Sequence, residues 1–145
     1  MTAVAFHFNA PERVAYACRL LRKAVNSGAK LVVTAPSDTL RQLDAALWSL
    51  SPIDFIPHCD LESEPHIVAA SPVILTTSIQ NVPHEQVLLN LGDSVPDGFD
   101  RFERVIEVVG MEDEDRLSAR SRWKHYKDLG YPITRHDLQL KTSPQ

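Results

Sequence analysis

A run of cations interleaved with one aromatic holds most of the chemistry in this chain. Between positions 116 and 127 lie Arg116, Arg120, Arg122, Lys124 and Lys127, with Trp123 among them and no acid. At about 100° per residue, Arg116, Arg120, Trp123, Lys124 and Lys127 fall on one helical face about 100° wide. A guanidinium grips a carboxylate with two parallel N–H donors, and an indole beside it supplies an apolar wall. That combination suits a small anionic ligand or an acidic peptide. A solvated helix whose long basic side chains flank a half-buried Trp has the same spacing.

Charge balance narrows the ligand. The chain has 15 Lys plus Arg against 19 Asp plus Glu, so outside positions 116–127 ten bases face 19 acids, a net of −9. Duplex DNA rewards many phosphate contacts on a broad basic surface and would be repelled by such a molecule. One confined basic stripe fits a short acidic segment better.

Other chemistry has little support. His7, His58, His66, His84, His125 and His136 are dispersed, and only His58-Cys59-Asp60 brings metal-ligating types together, at a spacing that rarely serves one ion. Cys18 and Cys59 make neither a disulfide framework nor a metal motif and read as reduced thiols, Cys18 in the core. No GxSxG elbow is present. The first strand-to-helix turn, Phe8-Asn9-Ala10-Pro11, has no glycine or lysine to cradle a phosphate, and Asn26-Ser-Gly-Ala-Lys30 leads from helix to strand, the wrong way round. No catalytic residue, metal or cofactor is expected. The N-terminus lacks a basic segment followed by an apolar one, and no apolar run reaches 18 residues, which predicts a cytosolic protein.

The elements that must position the stripe follow from hydrophobic patterning. Residues 3–8 are a short apolar, β-prone strand, and Asn9 to Glu12 reads as a helix start with Asn9 as cap. Val14, Ala17, Cys18, Leu21 and Val25 form the helix's apolar stripe, leaving Arg13, Arg19, Arg22 and Lys23 outside. Residues 30–34 give a second strand, and Ser37 caps a helix whose apolar side is Leu40, Leu43, Leu47 and Trp48. Strand–helix–strand–helix in fifty residues predicts right-handed crossovers, hence an α/β domain of three layers on a mostly parallel sheet.

Residues 59–71 read as a surface loop, and 72–77 and 86–91 as strands. Residues 104–109 read either as a last strand or as the end of a helix begun near Phe99, and the strand is preferred because Val105, Ile106, Val108 and Val109 are β-branched. The basic stripe then sits on a final helix: Glu112, Asp113, Glu114 and Asp115 oppose the positive end of its dipole, and Gly130 before Pro132 stops it. One domain accounts for all 145 residues, with 141–145 a frayed tail. Trp48 and Phe55, near Pro52 and Pro57, read either as core aromatics or as a displayed docking patch.

Three segments together carry a family resemblance: Leu43-Asp-Ala-Ala-Leu-Trp48, Phe55-Ile-Pro-His58 and Ala119-Arg-Ser-Arg-Trp-Lys-His-Tyr-Lys-Asp-Leu-Gly-Tyr131. In these the chain resembles the chi subunit of bacterial DNA polymerase III holoenzyme over nearly its whole length. Trp123 stands where the family often has tyrosine, His125 is larger than the usual residue, and positions 132–145 depart from the pattern. The resemblance implies a non-catalytic accessory subunit of the clamp loader, with a nucleotide-binding-like topology lacking a phosphate loop. It implies a site for the acidic C-terminal tail of single-stranded DNA-binding protein, which ends in phenylalanine with a free carboxylate. Arg120 would grip that carboxylate, Arg116 and Lys124 the upstream acids, and Trp123 and Val109 would wall the ring, with Lys127 on the same face. A second surface, around Trp48, Phe55 and Pro57, would bind the psi subunit or a competing helicase. DNA would be reached only indirectly and no membrane is involved. The alternatives are a degenerate nucleotide-dependent enzyme on the same sheet and direct nucleic-acid binding through the basic helix.

Overall fold

The computed structural model describes residues 2–49, 57–61, 63–80 and 82–138. Seven strands form one sheet: β1 (Ala3–Ala10), β2 (Leu31–Thr34), β3 (His58–Asp60), β4 (Val73–Thr76), β5 (Val87–Asn90), β6 (Arg104–Gly110) and β7 (Ile133–Asp137). Their order is β3-β4-β2-β5-β6-β1-β7, and every neighbouring pair is parallel. The helices are α1 (Arg13–Asn26), α2 (Ser37–Trp48), α3 (Pro65–Ala70) and α4 (Asp113–Asp128).

Helices on both faces explain why the strands read as continuous apolar runs rather than alternating ones. Along β2, Leu31 and Val33 join the cluster under α1 and α2, with Leu21, Leu43 and Leu47, while Val32 points the other way. The opposite face gathers Val4, Phe6, Leu88, Phe99, Val105, Val109 and Tyr126 beneath α4. The three-layer α/β arrangement is therefore present, and the sheet is parallel throughout the described residues.

Several local expectations are corrected. Asn9 does not cap α1; β1 continues to Ala10, Asn9 takes a left-handed backbone (φ 64°), and Glu12 occupies the cap position. Ser37 is the first helical residue of α2 and makes no side-chain cap bond. The supposed loop at 59–71 holds most of β3 and all of α3, a helix opened by Pro65 in its first turn. Arg13 is half-buried rather than on a wet face, because its Nε lies 3.5 Å from Asp115 Oδ2. Trp48 leaves the apolar stripe of α2 and is 63% exposed. Cys18 is buried and its thiol is free.

The departure that matters most for the site is β7. Residues 133–137 add an edge strand beside β1, pairing Phe6 with Arg135 and His7 with His136. No helix of the described residues is long and apolar enough to cross a membrane.

Candidate peptide-binding groove

The stripe-bearing helix is fixed at three places. At its start, Asp115 accepts a hydrogen bond from the backbone N–H of Gly110 at the end of β6. A Cβ on Gly110 would sit 3.0 Å from that carboxylate and 3.2 Å from the Arg13 stem, so any larger residue would push one of the two side chains aside. At its end, Gly130 (φ 86°) lets the Tyr131 N–H reach the Tyr126 carbonyl at 3.1 Å and its own N–H reach Lys127 at 3.0 Å. This pair of bonds closes the helix in a Schellman motif.

Between these ends α4 is held by a buried polar network. Glu107, in the middle of β6, is 0% exposed and Arg122 is 2% exposed. Arg122 Nε donates to Glu107 Oε1 at 2.9 Å, while Tyr126 Oη at 2.7 Å and Asn90 Nδ2 at 2.9 Å donate to Oε2. Arg122 Nη1 donates to Ser118 Oγ at 2.6 Å, and Nη2 has no hydrogen-bond partner among the described residues. Burial pushes the Glu107 carboxyl above its ordinary value, against the charge of Arg122 and the bonds from Tyr126, Asn90 and Arg122. Burial, then the charge of Glu107, raises Tyr126 so far that its hydroxyl stays a donor in any physiological buffer. One cation of the basic run is thus structural, with its back to the stripe.

With Arg122 and Tyr126 turned inward, the other side of α4 overhangs β1. A cavity of about 530 Å³ opens there, its floor Phe6 and Phe8 of β1 and Val109 of β6. Arg116, Ala119, Arg120 and Trp123 form one bank, and Arg135 of β7 is on the far side of β1. The Trp123 ring lies 5.1 Å from Phe6, making a continuous aromatic wall. Arg116 Nη2 donates to Asn9 Oδ1 at 2.9 Å, and Asn9 Nδ2 donates to Asp137 Oδ1 at 3.0 Å. The Arg120 guanidinium has neither a hydrogen bond nor an ion pair among the described residues and faces the cavity. An open guanidinium beside an aromatic slot can take a carboxylate and a planar apolar group together.

Val109, Arg116, Arg120 and Trp123 are therefore brought to one cavity. Lys124 and Lys127 do not line it. Lys124 is turned about 40° past Arg120 toward solvent, and Lys127 lies about 10 Å further along the axis. Patterning missed Arg135, Phe6, Phe8 and Asn9 as lining residues: Arg135 stands in a segment without an apolar run, Phe6 and Phe8 in a strand read as buried, and Asn9 where a helix cap was expected.

At the other end of the sheet, Trp48 packs against His58, with ring centres 5.4 Å apart and the planes tilted by 59°. His58 Nε2 is 2.8 Å from Asp44 Oδ1. Pro57 is exposed beside them, and Phe55 lies outside the described residues.

A family model described as "DNA polymerase III chi subunit, HolC" matches residues 1–134. The chain belongs to the DNA polymerase III chi subunit family. Among relatives named DNA polymerase III subunit chi, that of Pseudomonas aeruginosa is 34% identical over 127 residues, covering 87% of both chains. Those of Haemophilus influenzae and Escherichia coli are each 26% identical, over 84% and 80% of this chain and 85% and 79% of theirs. Membership makes the protein a replication accessory subunit of DNA polymerase III rather than an enzyme. The family match includes β1, β6 and all of α4 and ends one residue before Arg135.

Proposed function

We propose that this chain, acting as a single α/β domain in the cytoplasm, links the clamp-loader complex to single-stranded DNA-binding protein. It does so by holding that protein's acidic C-terminal tail in the groove between α4 and β1. The observation that carries the reading is the placement of Arg120 and Trp123 on one cavity, the guanidinium without an acidic partner among the described residues and the indole against Phe6. The terminal carboxylate meets Arg120, the phenylalanine ring enters between Trp123 and Val109, and upstream acids pass Arg116. Lys124 and Lys127 stand outside the cavity and act on those acids at longer range. Duplex DNA is disfavoured by the net charge of −4.

Calorimetric titration with a synthetic acidic peptide ending in a free phenylalanine tests the reading. Micromolar binding by the wild type and a loss of about tenfold or more in Arg120→Ala are expected. Equal binding by the two proteins would remove Arg120 from the site.

The exposed indole of Trp48, beside Pro57 and the His58–Asp44 pair, supports a second docking surface for another replication protein, the psi subunit or a helicase. Pull-down with Trp48→Ala checks it: loss of that partner with the tail peptide still bound is the expected result, and retention would contradict it.

A further inference from the structure

We infer that Arg135 is a specificity-determining residue of the groove, closing it from the side opposite α4 and sharing a bound terminal carboxylate with Arg120. This rests on reading the groove as the site of an acidic C-terminal tail, and it adds a residue that lies beyond the region matched by the family.

Strand alternation places Arg135. In β7, Ile133 packs into the cluster beneath α4, while His136 stands 4.5 Å, ring to ring, from His7, whose ring meets Tyr16 of α1 on the other face. With a period of two, Arg135 shares the α4 face with Ile133 and reaches the cavity from the edge of the sheet. Arg120 comes from the helix on the other bank, so a ligand over Phe6 and Phe8 lies between two guanidinium groups.

Arg135 is also held ready. Its guanidinium lies 5.5 Å from the centre of the Phe8 ring and 5.9 Å from that of Trp123. Contacts with aromatic faces leave the edge N–H groups open, and no hydrogen bond or ion pair to the Arg135 guanidinium occurs among the described residues. A carboxylate has about four lone-pair positions, enough to accept from both arginines at once. Arg116 is less suited to that task, since its Nη2 is already committed to Asn9. Two cations converging on one terminal group select a free carboxylate over an amide or an internal acidic residue beside an aromatic.

The test is a cycle of two peptides against two proteins: the acidic phenylalanine-ended peptide and its C-terminal amide, titrated into wild type and Arg135→Gln. Wild type should prefer the free acid strongly. Arg135→Gln should lose about tenfold on the acid and less than about twofold on the amide. Unchanged affinity for the acid would overturn the inference, and so would equal losses on both peptides, which would reduce Arg135 to a general electrostatic contributor. A wild type that binds neither peptide would instead overturn the proposed function. If Gln unsettles the edge strand, Arg135→Lys serves, since it keeps the charge and loses the planar fork. A loss of about fivefold on the acid is then expected, and wild-type affinity would contradict the inference.

Discussion

Arg122 and Glu107 meet 2.9 Å apart beneath the helix that carries the groove, neither with appreciable exposure. Removing one member of such a pair strands a buried charge, whereas removing both does not. Arg122→Ala is expected to lose about 3–5 kcal/mol in urea unfolding. The double variant Arg122→Met, Glu107→Gln should lose clearly less than Arg122→Met alone, because Gln can still accept from Tyr126 and Asn90. A loss under about 1 kcal/mol in Arg122→Ala would contradict the network's role.

Much of this was legible beforehand, and the exceptions have physical causes. The acid-then-base order from Glu112 to Lys127 and the glycine at 130 announced α4 and its end. Helical geometry already set Arg122 off the face that holds Arg120, since two residues apart means nearly opposite sides, but gave no sign of what it would pair with. The missed signal was Glu107: a charge in an otherwise apolar strand, on the same face as Val105 and Val109, needs a cation. β7 has one strongly apolar residue in five and a single neighbour, so it left no run to detect. α3, six residues long, was too short to show a helical period.

His84 should make stability fall in mild acid. Neither ring nitrogen has a hydrogen-bond partner among the described residues. Burial first, then the charge of Lys30, lowers its pKa from the ordinary 6.5, opposed by a weaker polar contact with the Ser71 backbone. The unfolded chain therefore binds more protons below pH 6.5, and stability is full above that value and lost as pH falls through the lowered one. Thermal melts across that range should show a smaller slope in His84→Gln than in wild type. Identical slopes would exclude the residue.

Asn9 holds a left-handed backbone that asparagine tolerates and alanine resists. Asn9→Ala also cuts the link from Arg116 to Asp137. A loss of roughly 1–2 kcal/mol is expected, with Asn9→Gly losing less because its backbone is unstrained. Chemical denaturation of the two variants decides it, and an alanine variant as stable as wild type would be inconsistent with the bridge.

Lys124 and Arg120 should separate by salt. Lys124 lies outside the cavity and acts across solvent, so Lys124→Ala should weaken peptide binding by about threefold or less at low salt and hardly at all at 0.5 M. The Arg120→Ala loss should persist at both. Parallel titrations at two ionic strengths would show whether the ranking is reversed.

The chain's two tryptophans mark the two proposed surfaces, Trp123 in the groove and Trp48 at the far end of the sheet. Their indole N–H resonances, followed by NMR while the free-acid tail peptide is added, report directly where it binds. Movement of the Trp123 signal with that of Trp48 unchanged is the expected result; movement of Trp48 alone would contradict the assignment of the groove.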